Sequence, residues 1–130
     1  MLYEKGLKYL LDGVHHNDPE SLYMYARVRE TGMYKVEPDK KAYIYYLKKA
    51  AALGQDDALL DLGYYYYDKG KYDDALDCFA SSDLNVVGLY WAMATIYEAK
   101  KKDYKNALFY YRMAMEDDYG MIDGIINNGK

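Results

Sequence analysis

The chain has 130 residues, a formal charge of −4 and 52% hydrophobic residues by a count that includes tyrosine, enough for one core and short for two. Its 21 acidic against 17 basic residues argue against a phosphate-backbone partner, because nucleic-acid binders gather Lys and Arg on one face. A single cysteine, Cys78, excludes an internal disulfide and fits a reducing compartment; the polar start Met1 to Gly6 lacks a secretory core, and no window reaches the roughly 18 apolar residues of a membrane span, so a cytoplasmic protein without membrane contact is expected.

In chain order, Leu2 to about Gly13 reads as an N-terminal capping helix, with Gly6, Leu10 and Gly13 falling 37 residues before Tyr43, Leu47 and Ala50. Asp18-Pro19-Glu20 has the chemistry of a helix start, an N-cap followed by a first-turn proline and acid, and Glu37-Pro38-Asp39 has it again one element later. The first of these opens a helix over Pro19 to about Thr31, with Leu22, Tyr25, Ala26 and Val28 apolar at helical spacing and Gly32 as its end. The second opens a helix from Asp39 through Ala52 that stops at Gly54, its apolar stripe running through Tyr43, Tyr46, Leu47, Ala50 and Ala51. Asp56 to Asp68 is the next helix, with Leu59, Leu62, Gly63 and Tyr66 inward; Gly70 breaks it, and Asp73-Asp74 read as caps of a partner running to about Ser81. A third pair spans about Val86 to Ala99 and Tyr104 to Met115. Tyr66 to Ala75 is nine residues and Tyr97 to Ala107 is ten, so the third turn, Lys100 to Asp103, holds one extra residue, which a loop absorbs cheaply. After Asp117-Asp118, the stripe Met121, Ile122, Ile125 and Ile126 in a glycine-broken context predicts a short final helix that covers the last groove and frays.

These helices repeat. Tyr43, Ala75 and Ala107 stand 32 residues apart, as do Ala50, Ser82 and Ala114, with Leu47, Phe79 and Tyr111 between them. A period in the low thirties carried by small and aromatic residues marks stacked helical hairpins, each burying its apolar face on a neighbour. The 19 tyrosines against two phenylalanines suit the half-buried grooves of such thin layers, since the ring is buried while the hydroxyl stays wet or bonded.

In the second unit, Leu59, Leu62-Gly63, Tyr66, Gly70, Tyr72, Ala75 and Phe79 resemble the tetratricopeptide repeat at that family's spacing, with Gly63 and Ala75 where two helices of one hairpin cross. The first unit resembles the Sel1-like variant through Gly32, Val36, Asp39, Ala50-Ala51, Gly54 and Ala58; Tyr43 stands where that variant carries alanine, and Ser82 replaces an alanine in the second unit. The resemblance covers nearly the whole chain. It implies an all-α fold, a right-handed superhelical stack of antiparallel helix pairs with about three repeats and seven or eight helices. The implied layout is a single domain over 1–130: a capping helix at 2–13, repeats at 19–54, 56–84 and 86–117, and a C-terminal cap or tail at 119–130.

The resemblance further implies that the first helix of each pair lines a concave face. Counted from Gly63 and its equivalents Ala26 and Ala94, the outward positions are Tyr23, Arg27 and Glu30, then Leu60, Tyr64 and Tyr67, then Trp91, Thr95 and Glu98. Aromatic and Arg side chains are the usual anchors of protein interfaces, so the expected function is a non-catalytic module that holds a protein or peptide partner on this face. The alternative for these rings is packing within the array. A narrower form is an inhibitor or immunity-type protein that occludes a basic toxin or enzyme, motivated by small size and acidic charge. The rival of another class is a small-molecule or enzymatic site in the tyrosine-rich groove, and nucleic-acid stacking comes third.

Little in the sequence points to chemistry. His15-His16, flanked by Asp12 and Asp18, has metal-like composition, but adjacent histidines rarely converge on one ion and the chain has no other His. Cys78 beside Phe79 reads as a buried structural thiol. No Gly-rich phosphate loop or catalytic triad can be assembled, and Lys100 to Lys102 sits in a turn. No catalytic residue, no metal and no cofactor are expected, and the chain is read as not an enzyme.

Overall fold

The computed structural model describes the backbone of residues 2–83 and 87–128 and the side chains of 3–83 and 88–116. Among the described residues there are seven α-helices and no strand: α1 Leu2–His15, α2 Pro19–Thr31, α3 Lys40–Ala52, α4 Asp56–Asp68, α5 Tyr72–Ser81, α6 Val87–Thr95 and α7 Tyr104–Asn128. The fold is all-α. A single 3-10 turn, Met33–Lys35, joins α2 to α3, and a π-helical turn, Ile96–Lys100, continues α6. Two compact units result, residues 1–83 with α1 to α5 and residues 84–130 with α6 and α7.

The helices of the first unit begin and end where side-chain chemistry provides for their free backbone groups. Asp18 caps α2 by accepting from the Ser21 amide at 3.0 Å, ahead of Pro19 in the first turn. Asp39 caps α3 by accepting from the Lys41 and Ala42 amides at 3.0 and 3.2 Å, so Pro38 lies before that cap and is not a first-turn proline as the sequence suggested. Gln55 caps α4 through its side-chain oxygen, 2.6 Å from the Ala58 amide. Asp73 and Asp74 are not caps: Lys71 holds that position without a side-chain bond, and the two acids sit in the first turn of α5, where they favour the positive end of the helix dipole. α1 continues past the expected Gly13 to His15.

The core of the first unit is built from small residues under larger ones. Leu22, Ala26, Leu47, Ala50, Ala51, Ala58, Leu59, Leu62 and Cys78 form one buried cluster. Fully burying a Leu side chain stabilises by about 1.5–3 kcal/mol, and alanines between the leucines let neighbouring helices approach. Ala75 is buried as the repeat required, and the Phe79 ring lies across Gly63, where an added Cβ would collide with it. Gly63 and Phe79 therefore make a contact between α4 and α5 that a side chain at position 63 would block.

In the second unit α6 packs on α7, and Leu89, Met93, Ala94, Ile96, Ala107 and Ala114 are buried. The extra residue of the third turn is taken up inside the helix end. Lys71 donates to the Tyr66 carbonyl five residues back, whereas Asp103, one period later, donates to Tyr97 six residues back, and Lys101 reaches Ile96 across a π turn at 3.1 Å. Such single π turns are the usual way a helix accommodates an inserted residue without breaking. Lys102 takes the left-handed conformation, φ 57°, that Gly70 takes at φ 75° in the preceding turn.

The last element departs from the sequence reading. Tyr104 to Asn128 is one continuous helix, where a hairpin helix ending near Met115 and a separate short helix after Asp118 were expected. Gly120 and Gly124 each disfavour a helix by about 1 kcal/mol, but neither removes a backbone donor as proline would, so the ladder carries through. The expected covering role of Met121, Ile122, Ile125 and Ile126, and the repeat boundary between 84 and 86, lie outside the described residues.

Candidate partner-binding face

Two side-chain bonds join α2 to α4. The Gln55 amide donates to Glu20 at 3.1 Å, and the Tyr23 hydroxyl donates to Asp61 Oδ2 at 2.9 Å. Both bonds ascend the two elements in the same direction, so this side of α2 meets this side of α4 and its cap. One turn after Tyr23, Arg27 places its guanidinium 3.6 Å from the same Asp61 oxygen and 3.4 Å from Glu30 Oε1. Asp61 thus accepts a hydrogen bond from Tyr23 and forms an ion pair with Arg27, both from α2.

The electrostatics follow from that geometry. Partial burial, then the bond to Asp61 and its charge, push the Tyr23 phenol well above its usual value, so it remains a neutral donor. Tyr43, from α3, is half-buried beside the same network; burial, with Glu30 and Asp61, pushes it up to about 12. Burial works against the charge on Arg27, but Glu30, Tyr23 and Asp61 outweigh it and hold the guanidinium above its usual value.

Tyr23, Arg27 and Glu30, named from the sequence, meet in one bonded network. Farther along the face, Tyr64 is 41% exposed with its ring edge-to-face on Phe79 at 5.1 Å, which orients the aromatic without hiding it. Leu60 is half-buried, and Tyr67 is half-buried with its ring on Tyr72 at 5.6 Å. The other three positions belong to the second unit. Trp91 is 37% exposed and packs edge-to-face on Tyr111 at 5.4 Å; the Thr95 hydroxyl donates to the Ala92 carbonyl at 2.8 Å; Glu98 accepts from the Tyr111 hydroxyl, whose pKa rises through burial and that bond. Packing between rings and presentation to solvent therefore coexist, since an edge-to-face pair leaves one ring face open.

Asp61 and Tyr43 were not among the sequence-derived site residues. Asp61 reads as one more charge on the solvent side of α4; the available signal was its place one turn before Tyr64 and one turn after Asp57. Tyr43 was assigned inward, and its ring does pack on the core while its hydroxyl faces the carboxylates.

Elsewhere, Cys78 is buried, and desolvation, followed by Asp74 and Asp77, pushes its thiol up to about 11, so it stays protonated at neutral pH. Among the described residues no three His, Cys, Asp or Glu side chains gather as a metal site, and no helix is long and apolar enough to cross a membrane. A family model described as a domain of unknown function, DUF4316, matches residues 111–130, which lie mostly in the distal part of α7 and include none of α1 to α5. No curated protein matches the chain.

Proposed function

We propose that this chain is a protein-interaction module of the tetratricopeptide or Sel1-like kind, which holds a protein or peptide partner on the α2–α4 face without catalysing a reaction on it. The observation that carries this reading is the network in which Asp61 accepts from Tyr23 and pairs with Arg27, with the exposed Tyr64 one turn farther along α4. Preorganised polar groups around an exposed aromatic lower the ordering cost of association, which is how small interfaces reach useful affinity. The 32-residue period and the buried small residues Ala50, Ala75, Ala107 and Ala114 support the repeat assignment. An inhibitor or immunity-type role is one form of the same reading.

Replacing Tyr64 with alanine tests it. Partner captured by the full chain from native lysate should fall by about tenfold or more, the loss expected of an interface aromatic, with helicity by circular dichroism unchanged. Equal capture by the variant would remove this face from the account.

A further inference from the structure

The α2–α4 face has a definite charge. Glu20, Glu30, Asp57 and Asp61 lie along it; Gln55 donates to Glu20 and Asp57, and Arg27 is shared between Glu30 and Asp61. Where Glu30 meets the turn into α3, a cavity of about 360 Å³ opens, lined by Glu30, Pro38, Asp39, Lys40 and Tyr43. Asp39 is committed to the α3 cap and to Arg29 at 3.3 Å, which leaves Glu30 as the carboxylate of this lining that faces only Arg27. The cavity is open to solvent and lies at the small end of ligand-sized volumes, about 300–1,000 Å³, enough to receive one long side chain.

Resting on the interaction reading above, we infer that the occupant of this face is a basic segment of a partner protein, whose Arg or Lys side chains take the place at Glu30 and Asp61 that Arg27 fills in the free chain. A guanidinium pairs with carboxylates through two parallel bonds and also stacks on a tyrosine face, so the carboxylates and the exposed Tyr64 ring select the same chemistry. Arg27 is then a built-in competitor. It keeps Glu30 and Asp61 compensated when no partner is bound, and it weakens the attraction for an incoming cation.

That role gives Arg27 and Asp61 effects of opposite sign, which mere structural support would not produce. The test measures fluorescence anisotropy with two labelled twelve-residue-scale peptides of Arg-Gly-Ser and Glu-Gly-Ser repeats against the full chain at about 50 and 300 mM salt, spanning strong to weak screening. The Arg peptide should bind and weaken with salt, the Glu peptide should not bind, E30Q/D61N should weaken the Arg peptide about fivefold or more, and R27Q should tighten it about two- to fivefold, as expected for close charge pairs. Binding of both peptides alike, no binding of the Arg peptide, or R27Q and E30Q/D61N shifting affinity in the same direction would overturn the inference. Folding of each variant is checked by its thermal transition, and D61N keeps an acceptor for Tyr23, so it separates charge from scaffold. A native partner that is lost with Tyr64→Ala but retained by E30Q/D61N overturns the basic-segment inference alone; one retained by both overturns the interaction reading itself.

Discussion

Gly63 decides how close α4 comes to α5. An added Cβ there meets the Phe79 ring, whose Cδ1 and Cζ lie 2.7 and 3.0 Å from the position it would take, and that ring also carries Tyr64 on its edge. Gly63→Ala should destabilise the chain by about 1–3 kcal/mol through overpacking, and should weaken partner capture as Tyr64 shifts with Phe79. Gly6, in the exposed part of α1, has open space where a Cβ would go, so Gly6→Ala should stabilise by about 0.5–1 kcal/mol from helix propensity alone. Urea unfolding of both variants checks the pair; equal effects would mean that Gly63 is not the close contact. At this scale the sequence disclosed the inward residues Leu22, Ala26, Ala75 and Ala107, since small size and spacing are local properties. Asp61 escaped because its role depends on Tyr23, 38 residues away, and no local pattern marks a carboxylate that will accept from another helix.

The elements show the same division. The bounds of α2 and α4 were legible because Asp18-Pro19, Gly32, Gly54 and Gly70 punctuate the chain chemically, although the Gln55 cap of α4 was not. The end of α7 was not, because glycine weakens a helix by an amount that neighbouring turns can offset, while proline would have ended it. The inserted residue of the third turn was countable in sequence but not placeable, since a loop and a π turn hold it equally well. Lys102 is left in the conformation Gly70 adopts, and a side chain there costs about 1–2 kcal/mol that glycine avoids. Lys102→Gly should therefore raise stability, by about 0.5–1 kcal/mol after the added freedom of the unfolded chain is counted. A lowered melting temperature would show that the Lys102 side chain contributes more than its backbone costs.

For the whole molecule, the buried Cys78 and half-buried Tyr43, which titrate late, set an alkaline limit. Cys78 rises from an ordinary 9.0 to about 11 and Tyr43 from 10.0 to about 12, both chiefly through burial. Each is neutral when protonated and holds its proton more tightly in the folded chain. Their contribution is thus complete below pH 9 and is lost as pH rises through 11 and 12. Unfolding free energy should fall between about pH 9 and 12, and Cys78→Ala with Tyr43→Phe should flatten that fall; stability that is constant across this range in the parent chain would contradict the burial of both groups. The face that the account rests on tests most directly by amide chemical-shift mapping of the full chain with its captured partner. The account predicts perturbations concentrated at residues 20–30 and 57–64, and perturbations confined to α3 and α5 with α2 and α4 unmoved would contradict it.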